Sequence, residues 1–262
     1  MSKGTTPPAS GGGGTPAACT TAECKKCWTD DYEQDVSGNA FGRYFKKIKK
    51  DGTEYGSMPP QYAEKIYAPV KTGDKITVEV RFKAEALTGV AAADVTSAKT
   101  KLENGVKTHW TGKFTLEVDD PECGKKSFKI EYKVVWVDSG EHYTIKIHDT
   151  YPREGVTGRV MDVSKATSDW VYAHEFGHCV GLPDEYSYTP DTETVKYIKP
   201  DGGLDAAVSA PYNGKPKTDA DATIMAAFDN TTTLKRHGWN VAIEVQELLS
   251  AKLGRKIKCD IK

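Results

Sequence analysis

No stretch of about 18 consecutive apolar residues occurs anywhere in the 262-residue chain, so a membrane-spanning helix is not expected. A charge imbalance is missing too: 36 Lys and Arg stand against 37 Asp and Glu, for a net charge of −1. Such a chain has no strong electrostatic footprint for nucleic acid or for a membrane surface, and neither partner is expected. The first residues, Met1 to Cys19, lack the apolar centre of a secretory signal peptide. The protein is therefore expected to remain in the cytoplasm of its producer or to leave by a route that needs no such signal, unless the chain has been trimmed. No internal repeat and no second Cys-x-x-Cys pair at zinc-finger spacing occurs.

The length suffices for one large domain with a sizeable core. Residues 1–22 are Gly, Pro, Ser, Thr and Ala-rich and read as a flexible leader. Residues 23–72 are polar with basic clusters at Lys46-Lys47 and Lys49-Lys50. Their aromatics Phe41, Tyr44, Phe45 and Tyr55 suggest an N-terminal extension packed on the main domain, 73–262. From Lys75 to Phe82 apolar and polar residues alternate as in a half-buried strand. Val95, Leu102, Val106 and Trp110 recur at helical spacing within 91–110. Strands follow at Phe114–Val118, Ser127–Val137 and His142–His148, with Asp138-Ser139-Gly140 turning between the last two. Leu234–Leu253 carries an apolar stripe and reads as a C-terminal helix. The expected fold class is α+β: a mixed β-sheet with a backing helix, a second helix beneath it and a C-terminal helix.

The second helix holds the chemistry. His174-Glu175-Phe176-Gly177-His178 is an H-E-x-x-H pattern, which this composition would produce by chance on the order of once in a hundred such chains. Positions i and i+4 share a helix face, so His174 and His178 can aim at one metal ion, with Glu175 beside them as a base for a bound water. Thr167 or Ser168 is placed to cap this helix. Gly181 can stop the helix and turn the chain, which favours Asp184 as third ligand; Glu185, Glu193 and His237 compete with it, and Glu185 can instead steady a ligand from behind. Zinc is the expected metal: it brings the pKa of a bound water towards about 7, and Glu175 would accept the proton as that water attacks a carbonyl. Tyr186, Arg236 and His237 are candidate donors to the resulting oxyanion. The long stretch 187–222 follows the helix and could wall a substrate cleft. Cys24-Lys25-Lys26-Cys27 reads as a loop disulfide or free thiols, and Cys179 as a small core residue. His109, His142 and His148 are given structural roles, with His148 alone at a strand end that could border the cleft. The five tryptophans, like Phe176 and Val180, read as packing residues.

The run from His174 through Gly181 to Asp184 resembles the H-E-x-x-H-x-x-G-x-x-H/D motif of metzincin peptidases, and its Asp form resembles the snapalysin group. Thr223-Ile224-Met225-Ala226 is similar to the methionine turn of that family, which implies Met225 as a floor beneath the metal. The resemblance implies a metzincin-like fold and a zinc endopeptidase acting on proteins. Several metzincins place a Tyr two residues after the Met; here that position is Ala227, and Arg236 or His237 is the expected replacement. A signal-less chain with a Gly/Pro leader also resembles bacterial metallopeptidase toxins delivered by specialised secretion systems, which implies secretion machinery or a cognate inhibitor protein as partners. Two other functions compete: a peptidase acting on cell-wall peptides, and a non-catalytic binding module stabilised by zinc, against which Glu175 argues.

Overall fold

The computed structural model describes residues 28–49, 51–54, 61–186, 193–206, 222–226 and 228–262. The expected leader, the Cys24-Cys27 pair, Ala227 and much of 187–222 lie outside the described residues. Among those described, the chain forms a mixed α/β structure with three α-helices.

A nine-stranded sheet is its frame. Its central strand is β4 (Lys75–Ala86), and β1 (Tyr32–Asn39), β2 (Phe45–Lys49) and β3 (Gln61–Ala68) precede it. The remaining strands are β5 (Thr115–Asp120), β6 (Gly124–Trp136), β7 (Tyr143–His148), β8 (Gly155–Thr157), β9 (Val160–Ser164), β10 (Glu193–Tyr197) and β11 (Lys258–Ile261). The order across the sheet is β11-β5-β6-β4-β7-β9-β8. β6, β4, β7 and β9 run parallel, and antiparallel pairs close both ends. β3 joins β4 antiparallel and carries β1 on its far side. β2 and β10 make a separate two-stranded sheet.

The alternation in β4 does what period-2 patterning dictates: Ile76, Val78, Val80 and Phe82 are buried and the residues between them half-exposed. Phe128, Ile130 and Tyr132 of β6 and Tyr143, Ile145 and Ile147 of β7 extend the same apolar face. Residues 23–72 are expected as an extension packed on the domain, yet β1 and β3 are hydrogen-bonded members of the main sheet. The apolar signal was weak because β1 buries only Val36 and β3 interrupts its pattern with a fully buried Glu64. The short strands β8 to β11 likewise carry too few residues for a periodic signal.

The helices α1 (Ala92–His109), α2 (Asp169–Cys179) and α3 (Trp239–Leu253) complete the fold. α2 lies on the apolar face: the Phe176 ring is 6.4 Å from Phe82 and 5.8 Å from Tyr132. α1 packs against it closely enough that a Cβ on Gly105 would stand 2.4 Å from the Asp169 carbonyl oxygen. The indole of Trp110, at the end of α1, donates to the Ala173 carbonyl at 2.7 Å. Both contacts set the axial position of α2, and hence of the residues it carries.

Candidate metal centre

Ser168 caps α2, its hydroxyl accepting from the Val171 N–H at 3.4 Å. Thr167, the alternative cap, instead receives the Ser164 N–H and donates to Glu154. After Cys179 the chain turns at Gly181, whose φ of 88° and whose Cβ position only 2.8 Å from the Tyr44 ring both demand glycine. That turn returns residues 182–184 beneath the helix, and the Leu182 N–H donates to the Gly177 carbonyl at 2.9 Å.

The result is a convergence of three donors, His174 and Asp184 buried and His178 partly so. Asp184 Oδ1 lies 3.2 Å from His174 Nε2 and 3.3 Å from His178 Nε2. The three ligand atoms all lie within 4.8 Å of one another, and among the described residues no other His, Cys, Asp and Glu group of three or more does so. Zinc bonds of about 2.0–2.1 Å in a tetrahedron put neighbouring donors about 3.3–3.4 Å apart, which the two Asp184–histidine separations match. Each histidine is oriented from behind: Nδ1 of His174 donates to the Ile224 carbonyl, and Nδ1 of His178 to the Leu182 carbonyl, both at 2.8 Å. That leaves the Nε2 lone pairs facing inward. Neither carbonyl announces itself in the sequence, because a backbone oxygen carries no residue-type signal.

Glu175 is 5% exposed, and its Oε2 has no hydrogen-bond partner. A buried carboxylate oxygen without a donor is costly, and a water or ion in the adjacent space is the ordinary remedy. Burial raises the Glu175 pKa and outweighs the pull of His178 and His174 in the other direction. Burial opposes protonation of His178, but Asp184 and Glu175 overcome it and lift its pKa to about 9. Burial likewise works against an ionised Asp184, yet the two histidines hold its carboxyl well below the usual range. These attractions hold a proton between Asp184 and the imidazoles, and a bound metal cation would displace it.

The other candidates fall elsewhere. Glu185 is no ligand here: its carboxylate accepts from Arg236 Nε at 2.6 Å and Nη2 at 2.9 Å, from Thr223 Oγ1 at 2.5 Å and from His237 Nε2 at 3.0 Å. Burial opposes its ionisation, and His237 and Arg236 outweigh that and hold its carboxyl far below the ordinary range. His237 is fully buried with both ring nitrogens engaged, Nδ1 accepting from the Leu234 N–H at 3.1 Å. His237 and Arg236, the expected oxyanion donors, both hydrogen-bond to Glu185 in this structure. Tyr186 is half-buried beside the cluster in sequence. Glu193 begins β10, with its side chain outside the described residues. His148 pairs with Asp162 at 2.8 Å and lies against the Tyr151 ring, tilted by 30°, and His142 packs with Arg81. Met225 is fully buried and packs against α2, its sulfur 2.6 Å from where a Gly177 Cβ would stand.

One aromatic contact was not anticipated. Trp170 stacks on His174 with ring centroids 5.5 Å apart and an interplanar angle of 21°, and its indole N–H donates to the Asn230 carbonyl at 2.7 Å. The i, i+4 spacing of Trp170 and His174 was the available signal. The chain matches no family model, no curated protein and no solved structure. Among the described residues no helix is long and apolar enough to cross a membrane.

Proposed function

We propose that the chain is a zinc-dependent endopeptidase with a metzincin-like fold, in which His174, His178 and Asp184 hold the metal and Glu175 is the general base. The observation that carries this reading is the convergence of three donors within 4.8 Å of one another, two of their separations at 3.2 and 3.3 Å, beside a buried Glu175 carboxylate oxygen that has no partner. Zinc bound there would supply Lewis acidity that makes water a nucleophile near neutral pH. The chain's own residues do the rest. Glu175 takes the proton of the attacking water and passes it to the leaving amine. The Ile224 and Leu182 carbonyls keep both imidazoles in the tautomer that presents Nε2. A purely structural zinc site has no use for a second carboxylate with an unpartnered buried oxygen beside its ligands, which weighs against a binding module.

The reading extends to protein substrates and to action outside the producing cell, as for an exported toxin held in check by a cognate inhibitor. Cys123 is disulfide-bonded, and disulfides persist in oxidising compartments, which supports action outside the cytosol.

The test compares wild type with Glu175→Gln on casein and a peptide library, with zinc content measured on both. Wild type should cleave, and the variant should lose about 10²–10⁴-fold in rate while keeping one equivalent of zinc. Cleavage retained by Glu175→Gln would remove the base from the mechanism. A zinc-loaded wild type that cleaves neither protein nor peptide would identify the binding module instead.

A further inference from the structure

We propose that Glu185 is the positioning residue of the metal centre: its clamped carboxylate fixes two of the three metal donors at once and thereby sets metal affinity. The inference rests on the reading of His174, His178 and Asp184 as a zinc site.

Glu185 has no side-chain exposure and accepts from four side-chain donor atoms, which fills a carboxylate's acceptor capacity. Stability alone is a poor reason for such a group, because well-packed apolar residues of similar volume often stabilise a core as well as a buried ion pair. What an apolar residue could not do is grip Thr223. That hydroxyl is held at 2.5 Å by Glu185 Oε2, and the next residue, Ile224, carries the carbonyl that orients His174. The Glu185 N–H closes the same turn from the other side by donating to the Met225 carbonyl at 2.9 Å. Asp184, the third donor, is its covalent neighbour. One carboxylate therefore stands one residue from the Asp184 ligand and one hydrogen bond plus one residue from the support of His174. His178 is oriented separately, through Leu182, and lies outside this linkage. Arg236 and His237 precede α3 directly, so the clamp also joins the start of α3 to the metal centre.

The test is a zinc titration of the metal-free full chain against a chromophoric chelator, with thermal midpoints measured on the same samples without metal. Glu185→Gln should raise the zinc Kd about 10–100-fold, the usual effect of losing an outer-shell partner. Thr223→Val keeps the shape and removes only the hydroxyl; it should raise Kd in the same direction and serves if Glu185→Gln fails to fold. Asp120→Asn is the control. It breaks a comparable buried pair, Asp120 with Arg255 at 2.7 Å, at the β5 end of the sheet. It should lower the metal-free midpoint and leave Kd unchanged. In the cobalt-loaded protein the d–d spectrum should shift for Glu185→Gln and Thr223→Val and not for Asp120→Asn. Unchanged Kd in Thr223→Val and Glu185→Gln, or an equal change in Asp120→Asn, would overturn the positioning role while leaving the zinc site intact. A wild type that binds no zinc would instead overturn the underlying reading.

Discussion

Asp184 and Glu185 are neighbours in the chain and opposites in role: their side chains leave the turn after α2 towards different partners. One meets the two imidazoles; the other meets Arg236 and His237. Both are carboxylates just past the same glycine turn, so residue type alone did not separate them. His142 offers a prediction at this scale. Burial, and then the Arg81 guanidinium, push its pKa down to about 4 from an ordinary value near 6.5. Above pH about 6.5 the ring is neutral in both folded and unfolded chains. Below that, the unfolded chain takes up the proton first, so stability falls as pH drops through the window from about 6.5 to about 4. With allowance for solvent screening the loss is about 1–2 kcal/mol. Urea midpoints of wild type and His142→Gln should therefore converge as pH is lowered from 7 to 4; parallel curves would show that His142 does not drive the effect.

At the scale of elements, α2 is where local pattern and long-range packing meet. Its ligand face was legible because i, i+4 geometry is intrinsic to a helix. Its placement depended on glycines whose purpose only neighbours reveal. Gly177 leaves room for Met225 and for Trp110, whose nearest ring atom would lie 3.1 Å from a Cβ at this position. On helix propensity alone, Gly177→Ala should stabilise by about 1 kcal/mol. Overpacking against the Met225 sulfur costs about 1–3 kcal/mol and displaces the turn that supports His174. A lowered thermal midpoint with weakened zinc binding is expected. A raised midpoint would mean that Met225 simply moves aside.

Across the whole molecule, the metal should be part of the folding equilibrium. The donors come from α2 and from the turn after it, and their supports from that same turn and from the segment near 224. An unfolded chain offers no such preformed set, so an ion binding only the native state stabilises it by about 4 kcal/mol at a thousand times its Kd. For a chain of this size that is about 10 °C in midpoint. Calorimetry with added zinc, and again after chelation, should show that difference. Superimposable scans would mean that the native cluster holds no metal.

The amino-acid sequence by itself determined the features that depend on short-range spacing. Those are the two histidines and the glutamate on one helix, the glycine turn that follows, and the central strands whose apolar residues alternate. These rest on helical and strand periods and on the freedom of glycine at positive φ, which act within a few residues. Only the tertiary structure decided which downstream carboxylate joined the histidines, that His237 and Arg236 serve Glu185, and that β1 and β3 belong to the main sheet. Some of these pairings join residues about 50 apart in the chain, such as His174 with Ile224 and Glu185 with His237. They arise from how helices and loops pack on one apolar face, which no local period encodes.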